Sequence, residues 1–168
     1  MIESYFWPIV WSVAAVVFIA FTFVIMFGAP FLPTLKEQVP RAMKMLNLGP
    51  GQTLLELGSG DGRVLAAAAE QGIKAVGYEI NPFLVLYSRF KTRKYGKDVV
   101  VVWGNFWTKK LPPADAIFVF LLQPYMEKLD QKITKDCAKP VRLVSFGFTI
   151  NSKKPKKQDK GIYLYEYN

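Results

Sequence analysis

The first segment with residues suited to binding a ligand is Glu56-Leu57-Gly58-Ser59-Gly60-Asp61-Gly62, which places an acid directly before a glycine-rich turn. Glycines at positions 58 and 60 let the backbone turn sharply and approach a ligand closely. Arg63 stands where a dinucleotide-binding loop has its third glycine, and the Gly-Lys-Ser/Thr of a P-loop is absent. A carboxylate at this turn suits a ligand with an ammonium group better than one with a pyrophosphate.

Two more segments of this kind follow later apolar stretches. Glu79 ends the stretch that begins at Ala75, and an acid at the end of a second strand accepts hydrogen bonds from both ribose hydroxyls in nucleotide-binding sheets. Asn105 and Phe106 follow the next stretch, where an amide would recognise an adenine edge and an aromatic ring would pack on the base. Ammonium, ribose and adenine groups occur together in S-adenosylmethionine, which is therefore the predicted cofactor.

Composition excludes several other kinds of chemistry. The 168 residues include no histidine and one cysteine, Cys137. Imidazole acid–base catalysis, Ser-His-Asp triads, His-ligated metals, cysteine-based zinc sites and an intrachain disulfide are thereby excluded, and no metal is predicted. The net charge of +9 is typical of chains that bind nucleic acid, an anionic membrane or an acidic partner, and also of a solvated basic surface.

Strand and helix patterns alternate after residue 50. We predict apolar strands over residues 53–57, 75–78, 99–103, 116–122, 141–148 and 161–167, with helices over residues 63–71, 82–95 and 125–135. Continuous apolar strands that alternate with helices indicate a mostly parallel sheet buried on both faces. No helical segment precedes the last strand, so we expect it to return antiparallel beside the fifth. Lys153 to Lys157 is predicted to be a polar loop.

These motifs together resemble the class I S-adenosylmethionine-dependent methyltransferases over residues 50–168. The resemblance implies a doubly wound, Rossmann-like α/β sheet. It implies that Glu56 and the loop, including Ser59 and Asp61, bind the methionine part, Glu79 the ribose and Asn105 the adenine. That family more often has Asp at the position of Asn105. Asn81, which follows Glu79 in Gly77-Tyr-Glu-Ile-Asn-Pro82, is counted with the cofactor-binding residues.

A longer pattern resembles a narrower family. Val39-Pro-Arg41 precedes the domain, Tyr87-Ser-Arg89 follows the second strand, and Gly161-Ile-Tyr-Leu-Tyr-Glu-Tyr167 ends it. This looks like the small membrane-anchored protein-lysine methyltransferases whose mitochondrial members modify the adenine nucleotide translocase and the ATP synthase c-subunit. The resemblance implies a methyltransferase that acts on a lysine, and it does not identify the substrate of this chain.

Gln123 and Tyr125 are the candidate catalytic residues, since the methyl acceptor usually approaches after the fourth strand in such folds. The Gln123 carbonyl would position an amine, and the Tyr125 ring would wall the channel or hold a cation over its face. A helix start with Pro124 in its first turn explains the segment equally well. Base-modifying methyltransferases resemble this segment with Asn/Asp-Pro-Pro-Tyr/Phe, of which the first residue and the second proline are missing here, so a nucleic-acid partner is disfavoured.

The N-terminal segment predicts one transmembrane helix over residues 8–27, which are almost wholly apolar and long enough to cross the hydrocarbon core of a bilayer. A signal peptide is disfavoured because no basic residue precedes the segment, and a buried core helix because the segment is apolar all round. Gly28, Pro30 and Pro33 should end the helix. Lys36, Arg41 and Lys44 follow it, so the positive-inside rule predicts a catalytic domain on the cytoplasmic side. The predicted organisation is an N-terminal segment over 1–33, a connecting helix over 34–49 and the methyltransferase domain over 50–168.

Basic residues cluster in three places: Arg89 to Lys97, Lys109-Lys110, and Lys153 to Lys160. Beside a membrane helix, contact with anionic lipid headgroups is the simplest functional interpretation. Three functions stay open at this point. The chain is a membrane-tethered methyltransferase acting on a lysine of a membrane protein, a methyltransferase acting on a lipid or small molecule, or a non-enzymatic scaffold that binds the cofactor.

Overall fold

The computed structural model describes residues 2–27, 34, 37–138 and 140–167. The chain divides into two compact units, Met1–Pro30 and Phe31–Asn168. The predicted helix break at Gly28, Pro30 and Pro33, and the basic residue Lys36, lie outside the described residues. The predicted boundaries at residues 33 and 49 stay predictions.

The described residues of the N-terminal unit form one helix, α1, over Ile2–Phe27. It begins six residues before the predicted start, and Pro8 lies inside it at the loss of one backbone hydrogen bond. Its large described side chains are exposed, among them Trp11 and Phe18. No helix within the described residues combines the length and the apolar character needed to cross a bilayer. The transmembrane prediction for residues 8–27 is therefore not confirmed, and the side chains of residues 20, 21 and 23–27 are among those not described.

The second unit is built on one seven-stranded sheet. Its strands are β1 (Thr53–Leu57), β2 (Lys74–Glu79), β3 (Val99–Trp103), β4 (Ala116–Val119), β5 (Val141–Phe146), β6 (Lys157–Asp159) and β7 (Ile162–Tyr167). The order across the sheet is β3-β2-β1-β4-β5-β7-β6. The first five strands pair in parallel, and β7 runs antiparallel between β5 and β6. The predicted doubly wound, mostly parallel sheet with an antiparallel C-terminal strand is confirmed.

Helices cover both faces of this sheet. They are α2 (Gln38–Leu46), α3 (Arg63–Ala69), α4 (Pro82–Thr92) and α5 (Met126–Asp136), with short 3-10 turns over residues 93–98, 106–108 and 123–125. One core cluster joins α2, α3 and α4 to the sheet through residues such as Met43, Leu65 and Val85. The other joins α5 to the opposite face through Leu129 and Ile133. Successive side chains of β1 point to opposite faces of the sheet, so Leu54 lies in the first cluster and Leu55 in the second.

Several predicted boundaries were wrong, among them the end of helix α4, which lies at Thr92 and not at residue 95. Strand β4 ends at Val119, three residues early, and β5 ends at Phe146 because Gly147 takes a positive φ of 82°. The predicted loop Lys153 to Lys157 ends in a strand that the sequence did not indicate, β6, which pairs with β7 in the register Lys157↔Leu164. Its three side chains are all exposed, so the strand has no apolar pattern; a short edge strand with a lysine resists further pairing.

Candidate functional site

The glycine loop between β1 and α3 is held against the end of β2. The backbone N–H groups of Gly58 and Ser59 both donate to the carbonyl oxygen of Tyr78, each at 2.9 Å. Gly58 has a φ of +88°, and a Cβ added there would meet no atom within 4 Å. Only glycine adopts this backbone without strain, and the open space beside it leaves the loop accessible to a ligand.

The Glu79 carboxylate organises two neighbouring loops. One oxygen accepts from the backbone N–H of Gly60 and the other from that of Asn81, both at 2.8 Å. The side chain is buried, at 8 % exposure. Each carboxylate oxygen has lone pairs for a second donor, so Glu79 can hold the loop and still accept hydrogen bonds from two hydroxyl groups.

Glu56 carries a buried carboxylate with an unsatisfied oxygen. Its Oε2 has no hydrogen-bond partner within the described residues, and neither has the nearby loop hydroxyl of Ser59. Burial raises the pKa of Glu56 well above its usual value, and the charges of Asp61 and Glu79 raise that pKa further. A buried acceptor without a partner costs free energy, and a cationic donor would remove that cost. Glu56 therefore fits the ammonium group of the predicted cofactor.

Asp61 is engaged by two cations of the protein itself. Its oxygens contact Arg63 Nε at 2.9 Å and Lys91 Nζ at 3.0 Å. Burial opposes its charge, but the hydrogen bonds from Arg63 and Lys91 lower the pKa of Asp61 below its usual value. Arg63 also donates to the carbonyl oxygen of Thr34 at 2.7 Å. Asp61 thus connects the glycine loop to α4 through Lys91, and through Arg63 to the segment before α2.

Both predicted asparagines act as caps. The Asn81 Oδ1 accepts from the N–H of Phe83 at 3.0 Å at the start of α4, and Asn105 Oδ1 accepts from that of Trp107, also at 3.0 Å. Both side-chain NH₂ groups stay available as donors among the described residues. Phe106 is only 8 % exposed and packs in the core cluster with α5, so it offers little ring surface to an adenine.

Gln123 and Tyr125 make different kinds of contact in the structure. The Gln123 amide donates to the carbonyl oxygen of Thr149 at 2.7 Å and accepts from the Thr149 N–H at 3.3 Å. Its carbonyl, predicted to position an amine, thus secures the loop after β5. Tyr125 is 42 % exposed, and its ring lies 6.2 Å from that of Trp107 between centroids. Lys128 Nζ lies 4.7 Å from the centre of the Trp107 ring, so a cation of the protein itself already lies over this ring.

Sequence reasoning missed Gly77 and Trp107. Gly77 lies opposite Glu56 in the β1–β2 register, and a Cβ added to it would lie 2.6 Å from the Cβ of Ser59 and 2.6 Å from Leu65 Cδ1. The available signal was a glycine inside a predicted strand, which marks close approach of another chain segment. Trp107 had no comparable signal, since an aromatic residue after a strand is usually core. Among the described residues no group of three or more His, Cys, Asp or Glu side chains could hold a metal ion.

Comparison with known proteins bears directly on this arrangement. The family model described as ANTKMT methyltransferase domain matches residues 56–157. The human lysine N-methyltransferase of the ATP synthase c-subunit is 32 % identical over 121 residues, which cover 71 % of this chain and 52 % of the human protein. A protein-lysine N-methyltransferase of Saccharolobus islandicus is 31 % identical over 148 residues, covering 81 % of this chain and 92 % of that protein. The chain thus spans about half the length of the human relative.

One solved structure is similar over most of both chains. It is an RNA methyltransferase from Salinibacter ruber in complex with S-adenosyl-L-homocysteine, with a TM-score of 0.73 and 27 % identity. The match covers 81 % of this chain and 92 % of that one. The family resemblance predicted from the motifs is confirmed by these matches.

Proposed function

We propose, from the fact that this chain belongs to the ANTKMT methyltransferase domain family, that it transfers a methyl group from S-adenosylmethionine to the side-chain amine of a protein lysine. One observation carries the proposal: a buried, unpartnered Glu56 oxygen lies on the strand next to a buried Glu79. This pair suits a ligand with both an ammonium and a ribose group. The relatives named above are lysine N-methyltransferases, which supports the acceptor class.

In this proposal different residues bind different parts of the cofactor. Glu56 would accept a hydrogen bond from the ammonium group, and Glu79 from the ribose hydroxyls while it keeps the Gly60 N–H. Gly58 lets the backbone come close to the methionine part. The Asn105 amide would donate a hydrogen bond to the adenine edge. When bound, S-adenosylmethionine would supply a methyl group for in-line attack by an uncharged amine, with the bond from the methyl carbon to the positively charged sulfur breaking as the bond to nitrogen forms.

The Trp107–Tyr125 pair is our candidate for the acceptor entrance. Two partly exposed aromatic rings, one already below the ammonium of Lys128, match an aliphatic side chain with a cationic end. Methyl transfer requires the lysine to lose its proton, and desolvation lowers the pKa of an ammonium group. The protein therefore needs to align and dehydrate the amine more than to supply a strong base, and the absence of histidine is no obstacle.

The proposed location is a membrane surface. Helix α1 exposes large apolar side chains along its described part, including Trp7, Trp11 and Phe18. We infer that α1 attaches the chain to a bilayer, with the second unit on the cytoplasmic side and a membrane protein as substrate. Attachment would raise the effective concentration of membrane-bound acceptors around the site.

Labelled S-adenosylmethionine added to a membrane fraction tests the acceptor class. We expect label in protein, lost in Glu56→Ala, with methylated lysine found by mass spectrometry. Label in lipid or in a small molecule would replace the protein acceptor, and label in RNA would favour the activity for which the Salinibacter protein is named. Cofactor binding without any labelled product would indicate a scaffold. Alkaline carbonate extraction of the same membranes tests α1, since a peripheral chain is released and an inserted one is retained.

A further inference from the structure

Helix α4 keeps a second apolar face exposed. Its inner face is buried through Val85, Ser88 and Thr92, whereas four large side chains at helical spacing face away from the core. These are Phe83, Leu86, Tyr87 and Phe90, each between 55 and 64 % exposed. An exposed apolar stripe of this kind on a folded domain marks a site of interaction with a protein or a membrane.

The edge of the sheet extends this stripe. Strand β3 is the terminal strand, and Trp103 is 63 % exposed on the side of β3 that carries Val99 and Val101 in the cluster with α4. Its indole N–H donates to the carbonyl oxygen of Ile80 at 3.1 Å. We call Phe83, Leu86, Tyr87, Phe90 and Trp103 the α4 edge surface.

The segment that carries the α4 edge surface is positively charged. Residues 80–97 contain no acid and five basic residues, Arg89, Lys91, Arg93, Lys94 and Lys97. Asp61 pairs with Lys91, and Glu70 lies 3.8 Å from Lys94 Nζ, whereas Arg93 and Lys97 are exposed and have no ion pair in the described part of the chain. The guanidinium carbon of Arg93 lies 4.0 Å from the centre of the Phe90 ring, so cationic and apolar groups alternate over a short distance.

The opposite edge of the sheet provides a contrast. The segment around β6 is also basic, with Lys154, Lys157 and Lys160 exposed. No large apolar side chain is exposed in the described residues 140–167. Positive charge is therefore common to both edges, and only the α4 edge combines it with aromatic and aliphatic groups.

We propose that the α4 edge surface docks on the headgroup region of an anionic bilayer. Aromatic and aliphatic side chains that lie beside several lysines and arginines are the composition that enters a membrane interface and responds to anionic lipid. A protein groove would be expected to bring acids to the same face, and the segment from 80 to 97 has none.

Docking here would also orient the candidate site. Asn81 caps the first turn of α4 and donates its backbone N–H to Glu79, so the surface begins directly beside the residues that would hold the ribose. This inference deepens the membrane location proposed above. The two fail separately, because carbonate extraction reports on α1 and the next experiment reports on α4.

The test uses the full chain with a nitroxide at Leu86→Cys in a Cys137→Ser background, added to phosphatidylcholine vesicles with or without phosphatidylglycerol. We expect the Leu86 label to gain oxygen accessibility and lose accessibility to a water-soluble nickel complex only when phosphatidylglycerol is present. A matched label at Gln131→Cys, exposed on α5, should stay in water in both vesicles. If the Leu86 label stays in water, or enters both kinds of vesicle equally, the anionic-bilayer proposal is wrong.

Charge removal at each edge gives the second control. The variant Arg93→Gln/Lys94→Gln/Lys97→Gln should lower the ratio of docked to undocked domain by about a hundredfold, at about fivefold for each basic residue near an anionic surface. The variant Lys154→Gln/Lys157→Gln/Lys160→Gln removes the same charge and should leave the ratio unchanged. Equal losses in both variants would indicate net charge rather than a defined surface. A Leu86 label immobilised without lipid would indicate that protein covers the face.

Discussion

The Glu79 carboxylate accepts a hydrogen bond of 2.8 Å from the backbone N–H of Gly60, so the end of β2 fixes the loop that follows β1. The same carboxylate accepts from the N–H of Asn81 and so fixes the start of α4. One buried acid therefore joins two of the three segments that would surround the cofactor. This relationship makes Glu79 part of the architecture of the site as well as a ligand-binding residue.

Replacement of Glu79 should therefore affect affinity and stability separately. Glu79→Ala should weaken cofactor binding by about ten- to a hundredfold and also lower the unfolding temperature, because the Gly60 N–H loses a charged acceptor. Glu79→Gln keeps one acceptor and should recover more stability than affinity. Binding by calorimetry and unfolding by circular dichroism measure the two effects, with Asp98→Ala at an exposed position as the matched control. Unchanged affinity in Glu79→Ala would contradict the ribose assignment.

Cofactor binding should release a proton through Glu56. Burial, followed by the charges of Asp61 and Glu79, raises the pKa of Glu56, so the folded chain without ligand retains a proton that the unfolded chain loses. Stability without ligand should fall as pH rises from the ordinary glutamate pKa towards the raised one. A cationic ligand favours the charged carboxylate, so affinity should increase over the same pH range.

Calorimetry in two buffers with different ionisation enthalpies measures that proton. The wild-type chain should release it on binding, whereas Glu56→Gln should bind more weakly and release none. Glu70→Gln serves as the control, because that acid lies outside the site. Equal proton release by the wild-type and Glu56→Gln chains would show that another group titrates.

The close approach of Gly77 to Ser59 predicts a coupled pair of substitutions. A Cβ on Gly77 would lie 2.6 Å from the Cβ of Ser59, so Gly77→Ala must displace the glycine loop or α3. We expect a loss of about 1–3 kcal/mol in unfolding free energy, together with weaker cofactor binding. Adding Ser59→Gly removes two of the three close atoms, Cβ and Oγ, and should recover part of the loss.

Denaturant unfolding of the double-mutant cycle measures this coupling. Gly49→Ala is the matched control, since a Cβ there would meet no atom closer than 3.8 Å. Strictly additive losses at positions 59 and 77 would argue against the contact.

Elements of the fold could be predicted from the sequence where neighbouring residues carried a recognisable pattern. Apolar strands, glycine turns and the start of a helix at Pro82 depend on neighbouring residues, and the parallel sheet followed from them. Strand β6 was missed although its hairpin with β7 is local, because its three residues are polar and exposed and show no apolar alternation.

The site shows the same division. Residue types at the strand ends indicated the cofactor and placed Glu56 and Glu79 at adjacent strands. The contacts that other site residues make within the protein could not be predicted. Asp61 pairs with Lys91, thirty positions away, and Gln123 binds the backbone of Thr149. Such contacts depend on side-chain direction across packed elements, which composition and spacing do not encode.

Asp61 should contribute stability that is lost in acid. Its pKa is lowered by the hydrogen bonds from Arg63 and Lys91 despite partial burial. The stabilisation is therefore full above the unfolded aspartate pKa of about 3.9 and disappears as pH falls through the lowered folded value. Asp61→Asn should cost about 1 kcal/mol at neutral pH and should flatten the acid limb of the stability curve. Asp98→Asn, at an exposed position, is the control. If the stability of Asp61→Asn falls in acid as steeply as that of the wild-type chain, Asp61 does not contribute this stabilisation.

The aromatic pair predicts a specific kinetic change. Tyr125 is exposed and lies beside Trp107, while the cofactor-binding segments follow other strands, so Tyr125→Ala should raise the KM for the acceptor and leave cofactor affinity unchanged. We expect kcat/KM to fall about five- to thirtyfold, since a cation–π contact contributes about 1–2 kcal/mol. Tyr125→Phe should retain most activity if the ring matters, and should lose it if the hydroxyl does. Gln123→Ala supplies the contrast, because it frees the Thr149 loop without removing a ring. A fall in cofactor affinity in Tyr125→Ala would place this ring in the cofactor site instead of the acceptor entrance.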